Sequence, residues 1–285
     1  QSGLWHRRWL AGNVCDRAAG AVLAAILAAF VVVVPFWEPG NTGLATENYN
    51  VAFWDHESKI SFVYEQYGAL AHSLLNGRLD LMQDPPEELL ALDNPYDSTA
   101  REAAQVNSLW DHAYYNGRYY VYFGIVPCLL FQLPFEAVTG IQNLAYPPCM
   151  IVMGLLFLLA SFGAVHQVVR RWFSQASSAA YLLSVAAIVL GSQLYYLFVR
   201  PYIYEYAIVC GTSLLMLALW FWLSAANTAV ERRGALLAKL ALGSLCMALV
   251  AGCRPQMELF AVLALPIFWQ RYIAQKRLGS PARAG

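Results

Sequence analysis

The sequence predicts an all-α fold, a polytopic transmembrane helical bundle of about six spans with a long outer loop carrying juxtamembrane helices. Three observations predict it. Hydrophobic residues make up 59% of the 285-residue chain and charged residues only 13%, where a soluble domain carries roughly a quarter charged. Apolar runs near the roughly 20 residues that cross a bilayer recur along the chain. Fourteen of the eighteen acidic residues fall between Glu38 and Glu136, so a net charge of zero conceals one acidic segment. No basic patch points to a nucleic-acid partner.

In chain order, the apolar runs are residues 18–37, 119–139, 145–169, 178–199, 202–224, 236–253 and 257–273. The first has no small-residue cleavage site behind it and reads as a retained span. Lysine and arginine beside spans favour the cytoplasmic side. Seven crossings would put Arg170, Arg171, Arg232, Arg233, Arg271, Lys276, Arg277 and Arg283 outside. The run 119–139 contains Gly124, Pro127, Pro134, Gln132 and Glu136, which suit a re-entrant or surface-lying segment better than a lone lipid-facing helix. If it does not cross, twelve of the eighteen basic residues lie inside, including Lys239 snorkelling at a helix end. Lys59, Arg78, Arg101, Arg118, Arg200 and Arg254 lie outside. The division expected is then residues 1–37 as cytoplasmic N-terminus and first span, 38–143 as outer acidic loop, and 144–285 as transmembrane bundle with a cytoplasmic C-terminus. The chain opens on Gln1 and stops soon after a span, so it is expected to be a fragment lacking further C-terminal helices.

A loop of about 105 residues far exceeds an ordinary connector and needs structure or function of its own. Phe62, Val63, Leu70, Leu74 and Leu75 recur at near-helical spacing and Gly77 stops the pattern, so residues 60–75 are expected to form an amphipathic helix on the membrane surface. Asp84-Pro85-Pro86 and Asp93-Asn94-Pro95-Tyr96-Asp97 read as turns, where Asp often caps its own backbone. Asn116-Gly117 between Tyr114-Tyr115 and Tyr119-Tyr120 signals a hairpin or a strand-to-helix turn. The tyrosines Tyr115, Tyr120 and Tyr122 fit an interfacial belt, or a wall contacting sugar or lipid.

Two turns share one grammar: Arg200-Pro201 followed by Glu205, and Arg254-Pro255 followed by Glu258. Helix dipoles and first-turn preferences alone produce that order. Beside an acidic loop the same turns could form an anion-binding rim. Of six cysteines, five sit in apolar runs, and neither a C-x-x-C nor a Cys/His spacing supports a disulfide framework or a metal site. His112 has no second histidine at ligand spacing.

The strings LLNGRLDLMQDPPEELLALDNPYDSTAR, WDHAYYNGRYYVYFGIVPCLLFQLPFEAVTG and AGCRPQ, about a third of the chain, resemble an uncharacterised bacterial polytopic membrane protein family related to GT-C (family 39-like) glycosyltransferases. The resemblance implies a multi-pass protein of the bacterial plasma (inner) membrane with its active face outward. It also implies an acidic catalytic residue in the first outer loop, and a polyprenyl-phosphate-linked sugar donor. The acceptor, glycan or protein, is left open. Membrane lipids are the other partner. A divalent metal is compatible because some relatives use one, but no spacing demands it. One departure stands out. Tyr67 and Ala71 match a Y-x-x-x-A pattern, yet the places of the Asp-Glu pair that precedes it in many relatives hold Val63 and Tyr64, and Glu65 is out of register.

The base expected for proton removal from an acceptor hydroxyl is therefore Asp111, Asp97 or Asp80. Arg200, Arg254 and Arg101 are expected to hold the donor phosphate, with Glu205 and Glu258 beside them. Two other classes compete: a non-enzymatic lipid-sugar transporter and a structural membrane subunit. The spans lack the Gly/Pro-broken pair in matching halves that many transporters show.

Overall fold

The computed structural model describes residues 3–10, 13–36, 54–55, 60–61, 66–106, 109, 111–142, 144–269 and 273. Val63, Tyr64, Glu65, Trp110 and the tail 275–285 lie outside the described residues. Among the described residues the protein is mostly helical, and four helices there are long and apolar enough to cross a membrane. Its contacts divide it into two units. One comprises residues 1–34, 152–196 and 209–285, and the other residues 35–151 and 197–208.

The first unit is helical. Helix α1 (Val14–Val33) starts where the Asn13 side chain accepts from the Cys15 amide at 2.9 Å, satisfying one of the donors that a helix start leaves open. Asp16 in its first turn is fully buried. It accepts from Arg7 at 2.6 Å, Ser178 Oγ at 2.8 Å and the Leu10 amide at 3.1 Å. Backbone bonds from Trp9 N to Ala176 O, Ser178 N to Arg7 O and Ala179 N to Leu4 O tie the N-terminal segment down.

The second unit carries the loop. Short strands β1 (Trp54–Asp55) and β2 (Ile60–Ser61) pair antiparallel. Helix α2 (Gln66–Leu75) ends at Gly77, whose φ of 71° and the Arg78 N to Ser73 O bond of 2.9 Å make a left-handed cap. The expected surface helix over 60–75 is thus shorter and differently placed. Residues 60–61 are a strand, and α2 buries Gln66 through Ala71 and Ser73 within the unit. The physical reason is composition: Gly68, Ala69 and Ala71 allow close approach on faces that a surface helix would leave wet.

Helices α3 (Glu87–Leu90) and α4 (Ser98–Ala103) follow, then β3 (Ala113–Tyr115) and β4 (Arg118–Tyr120). These two form the expected hairpin with Ala113 opposite Tyr120, and Asn116 and Gly117 take φ of 49° and 74°. Two successive positive φ values are what a two-residue type I′ turn requires. Leu81 N donates to Tyr119 O at 2.8 Å, joining the preceding segment to β4. Ala69, Leu81, Leu89, Val106, Leu109 and Tyr119 form a core beneath the hairpin.

The run 119–139 opens in β4 and becomes helical only from Val126: a π-helical turn (Cys128–Gln132) leads into α5 (Leu133–Thr139), which closes on left-handed Gly140. Helix α6 (Tyr146–Trp172) ends on Arg170 and Arg171, which suit the negative end of its dipole. The expected continuous helix over 178–199 is broken: α7 (Ser178–Gly191) and α8 (Leu194–Val199) flank Gln193 at φ 58°. Helix α9 (Ile203–Ala226) and α10 (Arg233–Ala251) complete the long helices. Lys239 sits inside α10 rather than at a helix end and donates to Thr228 Oγ1 at 2.9 Å. After Pro255 the chain winds as a 3-10 helix to Leu263.

Candidate functional site

The loop unit is built around buried tyrosines. Tyr67 of α2, Tyr146 of α6 and Tyr206 of α9 are almost fully buried. Tyr146 and Tyr206 stack at 4.8 Å, and Tyr67 meets Tyr206 edge-on at 5.7 Å. Such pairs contribute about 0.5–1.5 kcal/mol beyond burial. Their hydroxyls are satisfied: Tyr67 donates to Gly124 O at 3.1 Å, while Tyr206 lies 3.2 Å from both Pro127 O and Gln132 Oε1. These bonds hold the segment 124–132 in place, the stretch that leads out of the hairpin.

Against this frame the three candidate acids sit in different environments. Asp80 is 5% exposed. Arg78 Nη2 lies 2.5 Å from it and Arg118 Nη1 3.4 Å. The hydrogen bond from Arg78, with the charges of Arg78 and Arg118, outweighs desolvation and holds its pKa below the ordinary carboxylate value. A carboxylate clamped as the anion by two guanidiniums is a weak base. Asp97 is exposed and caps α4, accepting from the Thr99 amide at 2.9 Å.

Asp111 is neither clamped nor a cap. It is half-buried just before β3 and accepts from the Tyr122 hydroxyl at 3.2 Å. Its φ is 54°, a left-handed conformation. Other non-glycine positions with positive φ have evident structural roles: Asn116 turns the hairpin, Gln105 follows the end of α4, and Gln193 separates α7 from α8. Asp111 stands in the turn just before β3, and its left-handed backbone sets the direction in which its carboxylate leaves the chain. Tyr122 stacks on Phe123 at 4.4 Å, and Phe123 meets Tyr204 edge-on at 5.3 Å. A carboxylate therefore stands at one end of a row of aromatic rings. Beside it His112 Nδ1 lies 3.5 Å from Gln66 Nε2, and its ring meets Tyr119 edge-on.

The structure brings Tyr122 to Asp111 but places the other named tyrosines elsewhere. Tyr115 is 68% exposed at the hairpin tip, and Tyr120 lies in β4 opposite Ala113. Arg101 lies in α4. Arg200 and Glu205 belong to the same unit as Asp111, whereas Arg254 and Glu258 belong to the other.

A second polar cluster escaped the sequence reading. His72 Nδ1 lies 2.7 Å from Glu136 Oε1, and the Gln142 side-chain amide is 2.8 Å from the same nitrogen. Glu136 is 7% exposed and fastens α5 to α2. The available signal was an acid and an amide, Glu136 and Gln132, four residues apart inside an apolar run. Among the described residues no three His, Cys, Asp or Glu side chains converge to hold a metal ion. No family description, curated protein or solved structure matches this chain.

Proposed function

We propose that this chain is a GT-C-type membrane glycosyltransferase, moving a sugar from a polyprenyl-phosphate-linked donor to an acceptor at the outer face of the bacterial plasma membrane. Asp111 is the base. It removes the proton from an acceptor hydroxyl as that oxygen bonds to the anomeric carbon. The anomeric carbon–oxygen bond to phosphate breaks, and polyprenyl phosphate leaves with both electrons of that bond. Tyr122 orients the carboxylate through its hydrogen bond, and the rings of Tyr122, Phe123 and Tyr204 offer a face for a sugar. Arg200 takes the departing phosphate, because guanidinium matches its oxygens bidentately. Arg101, in the same unit, is a further candidate for that role.

The observation that carries this reading is Asp111 itself: a half-buried carboxylate in a left-handed conformation, hydrogen-bonded to an exposed tyrosine and followed by a row of aromatic rings. The six-span topology belongs to the same proposal. It is supported by the distribution of lysine and arginine, and it counts the shorter apolar helices Ser178–Gly191 and Pro255–Trp269, but not Cys128–Thr139, as crossings beside the four long ones.

The test is to reconstitute the protein with polyprenyl-phosphate hexoses and measure release of polyprenyl phosphate. Release that depends on Asp111 is expected. Passage of an intact lipid-linked sugar across the vesicle membrane, without cleavage, would overturn the assignment in favour of a carrier. Lack of any activity until a second protein is added would favour a structural subunit. Topology has its own check: with cysteine introduced singly, Gln142→Cys should react with an external reagent in intact cells and Ala226→Cys should not. Labelling of the latter contradicts six spans.

A further inference from the structure

The helical unit contains a pocket of about 500 Å³ between α1 and α6, with Trp9 and Tyr181 at its edge. Its lining changes character along the helices. Polar residues fall at the start of α1 (Asp16, Arg17) and near the end of α6 (His166, Gln167), while Gly20, Ala21 and Ala24 of α1 and Leu159 of α6 lie along the apolar part. Trp9 spans the two helices, donating from Nε1 to His166 Nδ1 at 3.4 Å and passing 3.7 Å from where a side chain at Gly20 would begin. From Arg17 to Ala24 is about 10 Å along a helix at 1.5 Å per residue.

Charge favours an anion at the polar end. Asp16, the nearest acid, is neutralised by Arg7 and occupied by Ser178 and the Leu10 amide. Arg17 is exposed, and Arg170 follows His166 by one turn of α6. Because His166 Nδ1 accepts from Trp9, its ring proton resides on Nε2, a donor. Trp9 stacks on Tyr181 at 3.8 Å, an amphipathic aromatic pair of the kind that sits at headgroup depth. Gly163 in the remaining wall is small by necessity: a side chain there would collide with the Trp220 indole, which needs the space beside it.

We infer that this pocket binds one anionic phospholipid, its phosphate between Arg17 and His166 and one acyl chain along Gly20, Ala21 and Ala24. A free phosphate would use the polar end and leave the apolar one empty, whereas an amphiphile matches both. Basic pockets between transmembrane helices hold anionic headgroups on the cytoplasmic side, the side that the six-span topology proposed above, on which this point rests, gives to this end of the unit.

Native mass spectrometry of the purified chain with added phosphatidylglycerol or phosphatidylcholine of identical acyl chains tests this. Preferential retention of phosphatidylglycerol is expected. Arg17→Gln should weaken it about tenfold, the loss of one charge-assisted phosphate contact. Ala24→Phe should weaken it by filling the acyl groove. Neither residue is fully buried, so both variants should keep the helical circular dichroism of the parent. Equal retention of the two lipids, indifference to both substitutions, or full displacement by inorganic phosphate would each overturn the inference.

Discussion

Trp220 covers Gly163 in the helical unit, and Tyr67 meets Tyr206 edge-on in the loop unit; the two contacts stand for two ways of building an interior. Among the described residues of the helical unit, buried Ser161 donates back to Phe157 O of its own helix at 2.8 Å, which lets a polar group sit in an apolar bundle without a distant partner. In the loop unit Gln132 reaches Tyr206 and Glu136 reaches His72, partners distant in sequence, as Ser178 is from the buried Asp16 at the start of α1 in the helical unit. The difference teaches where specificity resides. Both units fix part of their interior by long-range hydrogen bonds, but around Gly163 the helical unit is held by shape, whereas around Tyr67 the loop unit is held by a hydrogen-bonded frame that fixes the segment 124–132.

Breaking the frame should cost most. Tyr67→Ala removes a fully buried ring with its hydroxyl bond, and thermal unfolding in detergent should show a loss of about 3–5 kcal/mol. Breaking shape should cost less: Gly163→Leu forces Trp220 aside and should destabilise by about 1–3 kcal/mol. A similar loss for both would mean that the loop unit's polar frame contributes little beyond packing.

Acid sharpens the comparison. The folded pKa of Asp80 lies below its unfolded value near ~3.9, because of the Arg78 hydrogen bond. Its stabilisation is therefore complete above that value and disappears as pH falls through the lower folded value. Asp80→Asn should remove this part of the acid dependence of unfolding, with the midpoint followed from pH 7 downwards; an unchanged acid limb would show the pairing to be unimportant. Smallest of all, Asp97→Ala should cost about 1 kcal/mol, the worth of a helix cap, and leave activity intact.

Local features were legible in the sequence because neighbouring residues determine them. Asn116-Gly117 announced its turn, Gly77 its helix end, and Asp97 its place in a turn where Asp caps the backbone. Features that depend on distant partners were not. Nothing near Glu136 names His72, 64 residues away, and nothing near Gly163 names Trp220. The break at Gln193 was hidden because a non-glycine residue adopts a left-handed conformation there within an apolar run. The choice among the acids was likewise illegible: Asp80, Asp97 and Asp111 all lie in polar, turn-rich sequence, and only their partners distinguish them. The 60–75 segment was misjudged because hydrophobic spacing marks a buried helix as readily as a surface-lying one.

The central claim is that the loop unit's acids divide into structural and chemical members, with Asp111 the chemical one. It is tested most directly by measuring release of polyprenyl phosphate together with the thermal midpoint for Asp111→Asn and Asp80→Asn. Asp111→Asn is expected to keep its midpoint at neutral pH and lose turnover, while Asp80→Asn lowers the midpoint and keeps turnover in the fraction that remains folded. Full turnover in Asp111→Asn would contradict it.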